Sequence, residues 1–591
     1  MSSPAKFLDL NDMLQKALVA HAARPCFGLR RGESWQWMTY AEVGKLIDKA
    51  RGGLASLGVG KGDRVAVIAN NRLEWAVGQY ATYQLGGIYT AMYEAQLDKE
   101  WKYILADAGA KVCLCATAQI QARVEKLKAE LPALEHVVCF EGTGAGSWAA
   151  LLETGASKPA PIAKVEPTDV ANFIYTSGTT GNPKGVVLSH GNLVFGINTL
   201  HEVLPLTNED RSLAFLPWAH VFGGCIELHS MVSLGASLAI CEDVNTLVDS
   251  LAQVKPTILL AVPRIWNRIY DGVQKQIASK PKIIQHIFAE AMRAKSAQKR
   301  NQPVGLVGAL CLAIAKKIIF SKIVARFGGR LRFAVSGAAA LSRDVAEFID
   351  NLGIVVFEGY GLSECCGVAC ANRPGAVRIG SVGQALPGIR IELDKNVAGA
   401  DGENGEIVIL GPSVMRQYHG NAEQTKETLT AAGGLRTGDL GRLDGDGFLY
   451  ITGRVKEIYK LENGKYVAPA PIEETITLSP LIAQIMVHGQ DKPFNVAVVV
   501  PDLAALEAWA KTQGLEGLSK DALCAHEKVR TALAAEMEKY SADIKSYERV
   551  KRFLVVAEEF STANDLLTPT LKVKRRNVVQ KYGERLEALY R

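Results

Sequence analysis

The stretch Ile174-Tyr-Thr-Ser-Gly-Thr-Thr-Gly-Asn-Pro-Lys-Gly185 constrains this chain more than any other. The apolar run Val170 to Tyr175 before it has the character of a buried strand, and Val186-Val187-Leu188 resumes an extended pattern after it. The stretch between them is therefore expected at the tip of a hairpin. Thr176, Ser177, Thr179 and Thr180 alternate with Gly178 and Gly181, and Lys184 closes the loop. Glycines let backbone N–H groups turn toward an anion. The hydroxyls add donors, and a lysine brings a compact positive charge. That combination suits a polyphosphate. The spacing is neither G-x-x-x-x-G-K-[ST], since Pro183 precedes Lys184 and Gly185 follows it, nor G-x-G-x-x-G. By composition alone, a plain Ser/Thr/Gly surface loop is the competing reading.

A chain of 591 residues is too long for one core, so two or more domains are expected. Apolar residues at 48% and charged residues at 22% fit an ordinary globular protein. The net charge of +6 is modest for this length, and the aromatics show no stacking pattern for nucleic acid. No nucleic-acid partner is expected. Met1-Ser-Ser-Pro-Ala-Lys6 lacks the apolar core of a signal peptide. The eleven cysteines are scattered, with Cys113/Cys115 and Cys365/Cys366 too close for zinc pairs of ordinary spacing. They read as buried or free thiols in a reducing cytoplasm.

From Leu8 to Ala116 helical and strand-like patterns alternate. Tyr40 to Leu57 reads as an amphipathic helix, Arg64 to Ala69 as a strand, Glu74 to Leu85 as a helix and Lys111 to Cys115 as a strand. This is βα alternation, hence a mostly parallel sheet flanked by helices. Glu141 to Lys164, rich in Gly, Ala and Pro, reads as a loop. Ser279 to Phe327 is helix-rich and basic, and contains the apolar run Val304 to Ala315, too short to span a bilayer. Lys316, Lys317, Lys322 and Arg326 do not fall cleanly on one face of it. The run reads first as a packed helix, with peripheral attachment to a membrane as the other reading. The pattern leaves oligomeric state unread.

Several further segments carry candidate chemistry. His220 follows an aromatic strand end in Leu213-Ala-Phe-Leu-Pro-Trp-Ala-His-Val-Phe-Gly223, where a histidine is ordinarily packed or capping. Ser336-Gly-Ala-Ala-Ala340 follows a strand and opens a helix, a turn that brings Gly337 and Ala338 close to whatever lies on it. Phe357-Glu-Gly-Tyr-Gly-Leu-Ser-Glu364 sets Glu358, Gly359, Tyr360, Gly361, Ser363 and Glu364 after the strand Ile354 to Phe357. A carboxylate at a strand's C-terminal end is well placed to hold a hard cation that bridges phosphates. Asp439, in Thr437-Gly-Asp-Leu440, offers an acceptor pair for two neighbouring hydroxyls. Asp444-Gly-Asp-Gly447 reads as turn chemistry.

With the loop at 174–185, these segments resemble, in order, the adenylate-forming (AMP-binding) superfamily, and the basic insertion ending at Gly328 resembles its long-chain fatty acyl-CoA synthetase branch. The resemblance runs from the loop to residue 576 and is weaker in the N-terminal third. It implies an α/β fold. A large multi-subdomain N-terminal domain (residues 1–453), with βα sheets and a β-rich part, would hold ATP and the acyl chain. A small mobile α/β domain (454–591) would close over it. On this basis Thr176 to Lys184 hold phosphates, Thr180 among them at the reacting centre, and His220 borders the acyl pocket. Gly337 and Ala338 lie beside adenine, with Ala338 where the branch commonly has glycine. Tyr360 stacks on adenine, Ser363 reaches the α-phosphate region, and Glu364 holds Mg2+. Asp439 and Arg454 fix the ribose, Lys456 is the hinge, and Gly464 borders the channel for coenzyme A. Leu567-Thr-Pro-Thr-Leu-Lys-Val-Lys574 supplies the catalytic lysine, assigned to Lys572, with Lys574 as the neighbouring register. The implied reaction activates a long-chain fatty acid as acyl-adenylate and passes it to coenzyme A. The alternatives are an acyl-AMP ligase that loads a carrier protein, and a non-catalytic lipid- or nucleotide-binding protein on the same scaffold.

Overall fold

A computed structural model describes residues 6–176, 182–243, 246–400, 402–568 and 570–591. The βα alternation of the first 140 residues builds a seven-stranded sheet whose middle is parallel. Its order is Gln417–Tyr418, Lys184–Ser189, Val170–Thr176, Ile88–Met92, Arg64–Ile68, Val112–Cys115, His136–Cys139. Val170–Thr176 is parallel to Ile88–Met92 but antiparallel to Lys184–Ser189, so the sheet's direction reverses at the loop that joins those two strands. The central strands are buried on both faces, which is why they read as unbroken Val/Ile/Ala runs.

A second sheet sets Ile258–Ala261, Phe333–Ser336 and Val356–Tyr360 in parallel and adds the short antiparallel strands Cys370–Ala371 and Gln384–Ala385. Two four-stranded sheets complete the large N-terminal part. One of them pairs Leu435–Leu443 with Leu449–Arg454. Their tight turn is built by Asp444, whose side chain accepts from the N–H groups of Asp446 and Phe448. Buried apolar residues from Phe7 to Leu449, with Leu478, form one large cluster, and two smaller clusters lie between Leu461 and Leu586. The smaller C-terminal part centres on Ile482–His488, Asn495–Pro501 and Val550–Val555, covered by helices. All eleven cysteines are free and buried.

Two sequence expectations need correction. Residues 141–164 are not simply a loop, because Trp148–Ser157 is a helix, N-capped by the Ser147 hydroxyl. Its glycine does not punctuate a turn. A Cβ on Gly155 would sit 1.7 Å from the carbonyl oxygen of Lys49, and one on Gly53 would sit 2.4 Å from that of Leu151. Small residues here let two helices, Tyr40–Ser56 and Trp148–Ser157, cross almost backbone to backbone. The apolar helix Leu306–Ala315 is packed on one face only. Cys311, Leu312 and Ala315 are buried, whereas Leu306, Val307 and Leu310 lie in solvent.

Candidate active site

A cleft of about 590 Å³ opens at the C-terminal ends of the second sheet's parallel strands. Topology brings three of the predicted segments there. Ser336 ends one strand, and Gly337 and Ala338 make the turn after it. The following helix begins only at Arg343, so 337–342 is turn rather than helix. Gly359, Tyr360 and Gly361 come from the neighbouring strand and line the same space, with His220, Val221 and Phe222 opposite. Gly361 must be glycine, because a Cβ there would meet the carbonyl carbon of Gly367 at 2.2 Å. Ala338 adopts φ +69°, the left-handed region in which a Cβ is strained. The Ser336 hydroxyl is buried and unpaired among the described residues, a polar atom left for an occupant of the cleft.

Below this cleft a narrow apolar crevice continues between Leu200, Leu204, Ile226 and Val335, which line both. Its walls are apolar apart from Glu227 and Ser230. Ile226 and Glu227 belong to a π-helix, Phe222–His229, begun by Gly223 and Gly224, where a Cβ would meet the carbonyls of Pro217 and Trp218 at 2.5 and 2.4 Å. Such helices carry an extra residue per turn and recur at functional sites.

Tyr360, on the cleft wall, is wired to a polar group that lies beside the cleft rather than on its lining. Asp439 and Arg454 face each other across two antiparallel strands, and Arg454 Nε donates to Asp439 Oδ1 at 2.6 Å. The Tyr360 hydroxyl donates to the other oxygen, Oδ2, at 2.6 Å. Burial and then Asp439 push the Tyr360 phenol well above its ordinary range. Asp439 in turn holds the Arg454 guanidinium above its usual value. Glu364 accepts from the Tyr418 hydroxyl at 2.7 Å, and the backbone N–H of Met415 donates to the Glu364 carbonyl. Lys184 pairs in register with Thr176, donates to Gln424 at 2.5 Å, and lies close enough to Lys456 for that charge to help depress it, after burial. Two cations held together this way favour an anion between them.

Lys572 enters this group from the C-terminal part. Its turn is closed by Thr568, whose N–H donates to the Lys572 carbonyl and whose hydroxyl accepts from the Lys572 N–H at 3.1 Å. By surface area the residue is solvent-exposed, while its charge is felt by the groups packed around it. Desolvation first, then Arg454, lowers its pKa, while Asp439, Glu457 and Glu364 pull the other way. The same lysine, behind burial, holds His220 down at about 4, so that imidazole is neutral near pH 7. His220 Nδ1 accepts from the Phe222 N–H at 3.2 Å. Lys574 points elsewhere. It donates to Asp565 at 2.6 Å and lies 4.0 Å from Glu100 of the N-terminal part.

Not every predicted residue is gathered here. Ser177, Gly178, Thr179, Thr180 and Gly181 lie outside the described residues. Glu358 and Ser363 are buried and do not line the cleft. Burial pushes Glu358 up to about 7, opposed by the N–H groups of Gly380 and Leu341 beside its carboxyl. Gly464, at φ +84°, sits on an exposed turn between Tyr459–Lys460 and Tyr466–Val467. Tyr418, Gln424 and Glu457 escape a reading of the sequence. Each lies in a polar stretch without a pattern of its own, and only the tertiary fold brings them to Glu364, Lys184 and Lys572.

Sequence profiles agree with this architecture. That of the AMP-binding enzyme family matches residues 14–419, and that of the AMP-binding enzyme C-terminal domain matches 456–591. Long-chain-fatty-acid–CoA ligase FadD15 of Mycobacterium tuberculosis is 34% identical over 94% of this chain and 92% of its own. Long chain acyl-CoA synthetase 7, peroxisomal, of Arabidopsis thaliana is 32% identical over 98% and 86%. Among solved structures, ATP-bound MatB from Rhodopseudomonas palustris superposes with a TM-score of 0.72 at 22% identity, covering 98% of this chain and all of that one. The A-PCP didomain of a carboxylic acid reductase from Segniliparus rugosus reaches 0.80 at 22%, covering all of this chain and 83% of its own. The chain belongs to the AMP-binding enzyme family.

Proposed function

We propose that this protein is a long-chain fatty acid–CoA ligase, working through an acyl-adenylate. The observation that supports the reading is Lys572, a lysine of the C-terminal part whose charge acts on His220 of the cleft wall and is in turn acted on by Arg454, Asp439 and Glu364. The 31–34% identity to long-chain ligases over nearly the whole chain supports the substrate class.

In the first half-reaction a carboxylate oxygen of the acid attacks the α-phosphorus of ATP, and the bond to pyrophosphate breaks. Both reactants are anions, so the barrier falls when cations hold them together. Lys572 and Lys184 supply that charge. Asp439 accepts the ribose hydroxyls, with Arg454 fixing its orientation, and Tyr360 offers its ring to adenine. The acyl chain extends past Phe222 and Ile226 into the apolar crevice. Neutral His220 adds no charge beside the chain. No three His, Cys, Asp or Glu side chains gather into a metal cage among the described residues. A single carboxylate is chemistry that suits magnesium. Glu364 would hold it, and the ion would supply charge neutralisation at the phosphates. In the second half-reaction the thiol of coenzyme A attacks the acyl carbonyl and AMP leaves. Rotation of residues 454–591 about Lys456 withdraws Lys572 and brings in the turn at Gly464.

Pyrophosphate release and acyl-CoA formation, measured against acids of graded length, test this directly. Lys572→Ala should cut pyrophosphate release by a factor of roughly a hundred or more, while thioester formation from supplied acyl-adenylate survives. Adenylate formed with no free acyl-CoA would favour a carrier-loading ligase instead.

A further inference from the structure

The helical hairpin Lys282–Lys299 and Leu306–Ala315 with its continuation to Ala325 is unlike the rest of the surface. Its inner side is ordinary. Gly308 lies against Ala294, and Phe288, Phe320 and Phe348 meet at ring-centroid distances near 6 Å, 6.0 Å for Phe288–Phe320 and 6.2 Å for Phe288–Phe348. Its outer side is apolar. Leu306 is 92% exposed, Val307 65%, Leu310 63% and Ile318 50%. Ala309 and Ala313 are exposed between them. A helix apolar on both faces is normally covered on both.

Charge identifies what covers this one. Residues 279–331 carry eleven Lys and Arg and a single acid, Glu290, a net +10, so that the chain's overall +6 leaves the remainder at −4. Arg293, Lys299 and Arg300 are paired with Glu290, Asp350 and Glu347. Lys282, Lys316, Lys317, Lys322, Arg326 and Arg330 are exposed and have no ion-pair partner among the described residues. Lys295, Lys299 and Lys316 lie near enough that the last two help depress the first, after burial. A second copy of this chain would bring the same positive face to it. No helix among the described residues is long and apolar enough to cross a membrane, so the segment would lie on a surface rather than span it.

We propose that the outward face of Leu306–Ala315 rests on an anionic lipid surface, with its leucines in the acyl boundary and the flanking lysines and arginines against the headgroups. The inference is independent of the catalytic assignment, since none of these residues lines the cleft.

Co-sedimentation of the full chain with vesicles tests it. Binding is expected to vesicles containing phosphatidylglycerol, to weaken as salt rises, and to be slight with phosphatidylcholine alone. Leu306→Glu with Leu310→Glu should weaken binding by roughly tenfold or more, and Lys316→Gln with Lys317→Gln by roughly tenfold with a shallower salt dependence. Both pairs should keep the wild-type unfolding temperature and lipid-free pyrophosphate release. The proposal is overturned if wild type stays in the supernatant with anionic vesicles, or if both pairs sediment as wild type does. It is equally overturned if Leu306→Glu with Leu310→Glu dissolves a lipid-free dimer, which would make a second copy the occupant.

Discussion

Two residues let single side chains be tested against their backbone and their burial. Ala338 holds φ +69° on the wall of the cleft, a conformation that costs an L-residue about 1 kcal/mol and a β-branched one more. Glycine would remove that strain but enlarge the unfolded ensemble. Ala338→Gly should therefore stabilise by roughly 0.5 kcal/mol and Ala338→Val should destabilise by about 2 kcal/mol. Urea midpoints in the order Gly, Ala, Val from highest to lowest check this. Glu227 lies on the wall of the apolar crevice, buried, with Ser212 donating to one oxygen at 2.5 Å and the other oxygen unpaired among the described residues. Burial pushes its pKa up to about 8 from an ordinary 4.5. Between those values the folded chain keeps a proton that the unfolded chain has released, so stability falls as pH rises through that window. Glu227→Gln keeps the acceptor for Ser212 and removes the titration. Its unfolding temperature should fall less than that of wild type between pH 5 and pH 8. An identical fall in both would mean that Glu227 is already ionised in the fold.

At the scale of elements, the clearest test is the crossing of Tyr40–Ser56 and Trp148–Ser157. A methyl group at Gly155 would collide with the Lys49 backbone, which cannot swing aside as a side-chain end can. Gly155→Ala should cost about 3 kcal/mol or abolish folding, the upper end of overpacking. Gly272, mid-helix in Pro263–Ala278, has nothing within 4 Å of where its Cβ would be. Gly272→Ala should instead stabilise by about 0.5–1 kcal/mol. Equal effects on the urea midpoint would show that the crossing is not close. This pair also shows where the sequence is legible. Strands and helices with a clean period, such as Arg64–Ile68 and Tyr40–Ser56, are visible because each buries a face that its own pattern marks. The helix Trp148–Ser157 is hidden, because its glycine serves a contact with residues a hundred positions earlier. The cleft divides in the same way. Asp439, Tyr360 and Glu364 stand in patterned segments, while Tyr418 and Glu457 are chosen by distance in space. For the helix Leu306–Ala315, the pattern reveals an apolar segment but cannot tell which of its faces the fold leaves open.

The whole molecule adds a constraint that no single site carries, because Lys572, the lysine proposed for the reacting centre, arrives on a separate part of the chain. Besides the apolar packing of Leu478 and Tyr540 against the large cluster, two ionic contacts hold that part in the observed arrangement beside the helix Asp98–Ala108. Lys99 lies 3.6 Å from Asp565, and Lys574 lies 4.0 Å from Glu100. Asp565 also binds Lys574, so the four charges form a small network across the junction. Lys99 and Asp565 are solvent-exposed enough that their attraction is worth at most about 1 kcal/mol at low salt. If the network biases a moving part toward the arrangement that forms adenylate, reversing one charge should depopulate that arrangement without touching any group at the cleft. Lys99→Glu places a carboxylate opposite Asp565. Pyrophosphate release should then fall by roughly fivefold, the equivalent of about 1 kcal/mol. The loss should shrink as salt is raised, since exposed charges are screened. Thioester formation from supplied acyl-adenylate, which in the proposed cycle uses the other arrangement, should be unchanged or slightly faster. Lys572→Ala, by contrast, should keep its loss of roughly a hundredfold or more at every salt concentration, because no screening restores a missing charge. A salt-independent loss in Lys99→Glu, or an equal loss in both half-reactions, would mean that the junction is a fixed interface and that the two parts do not exchange positions during the cycle.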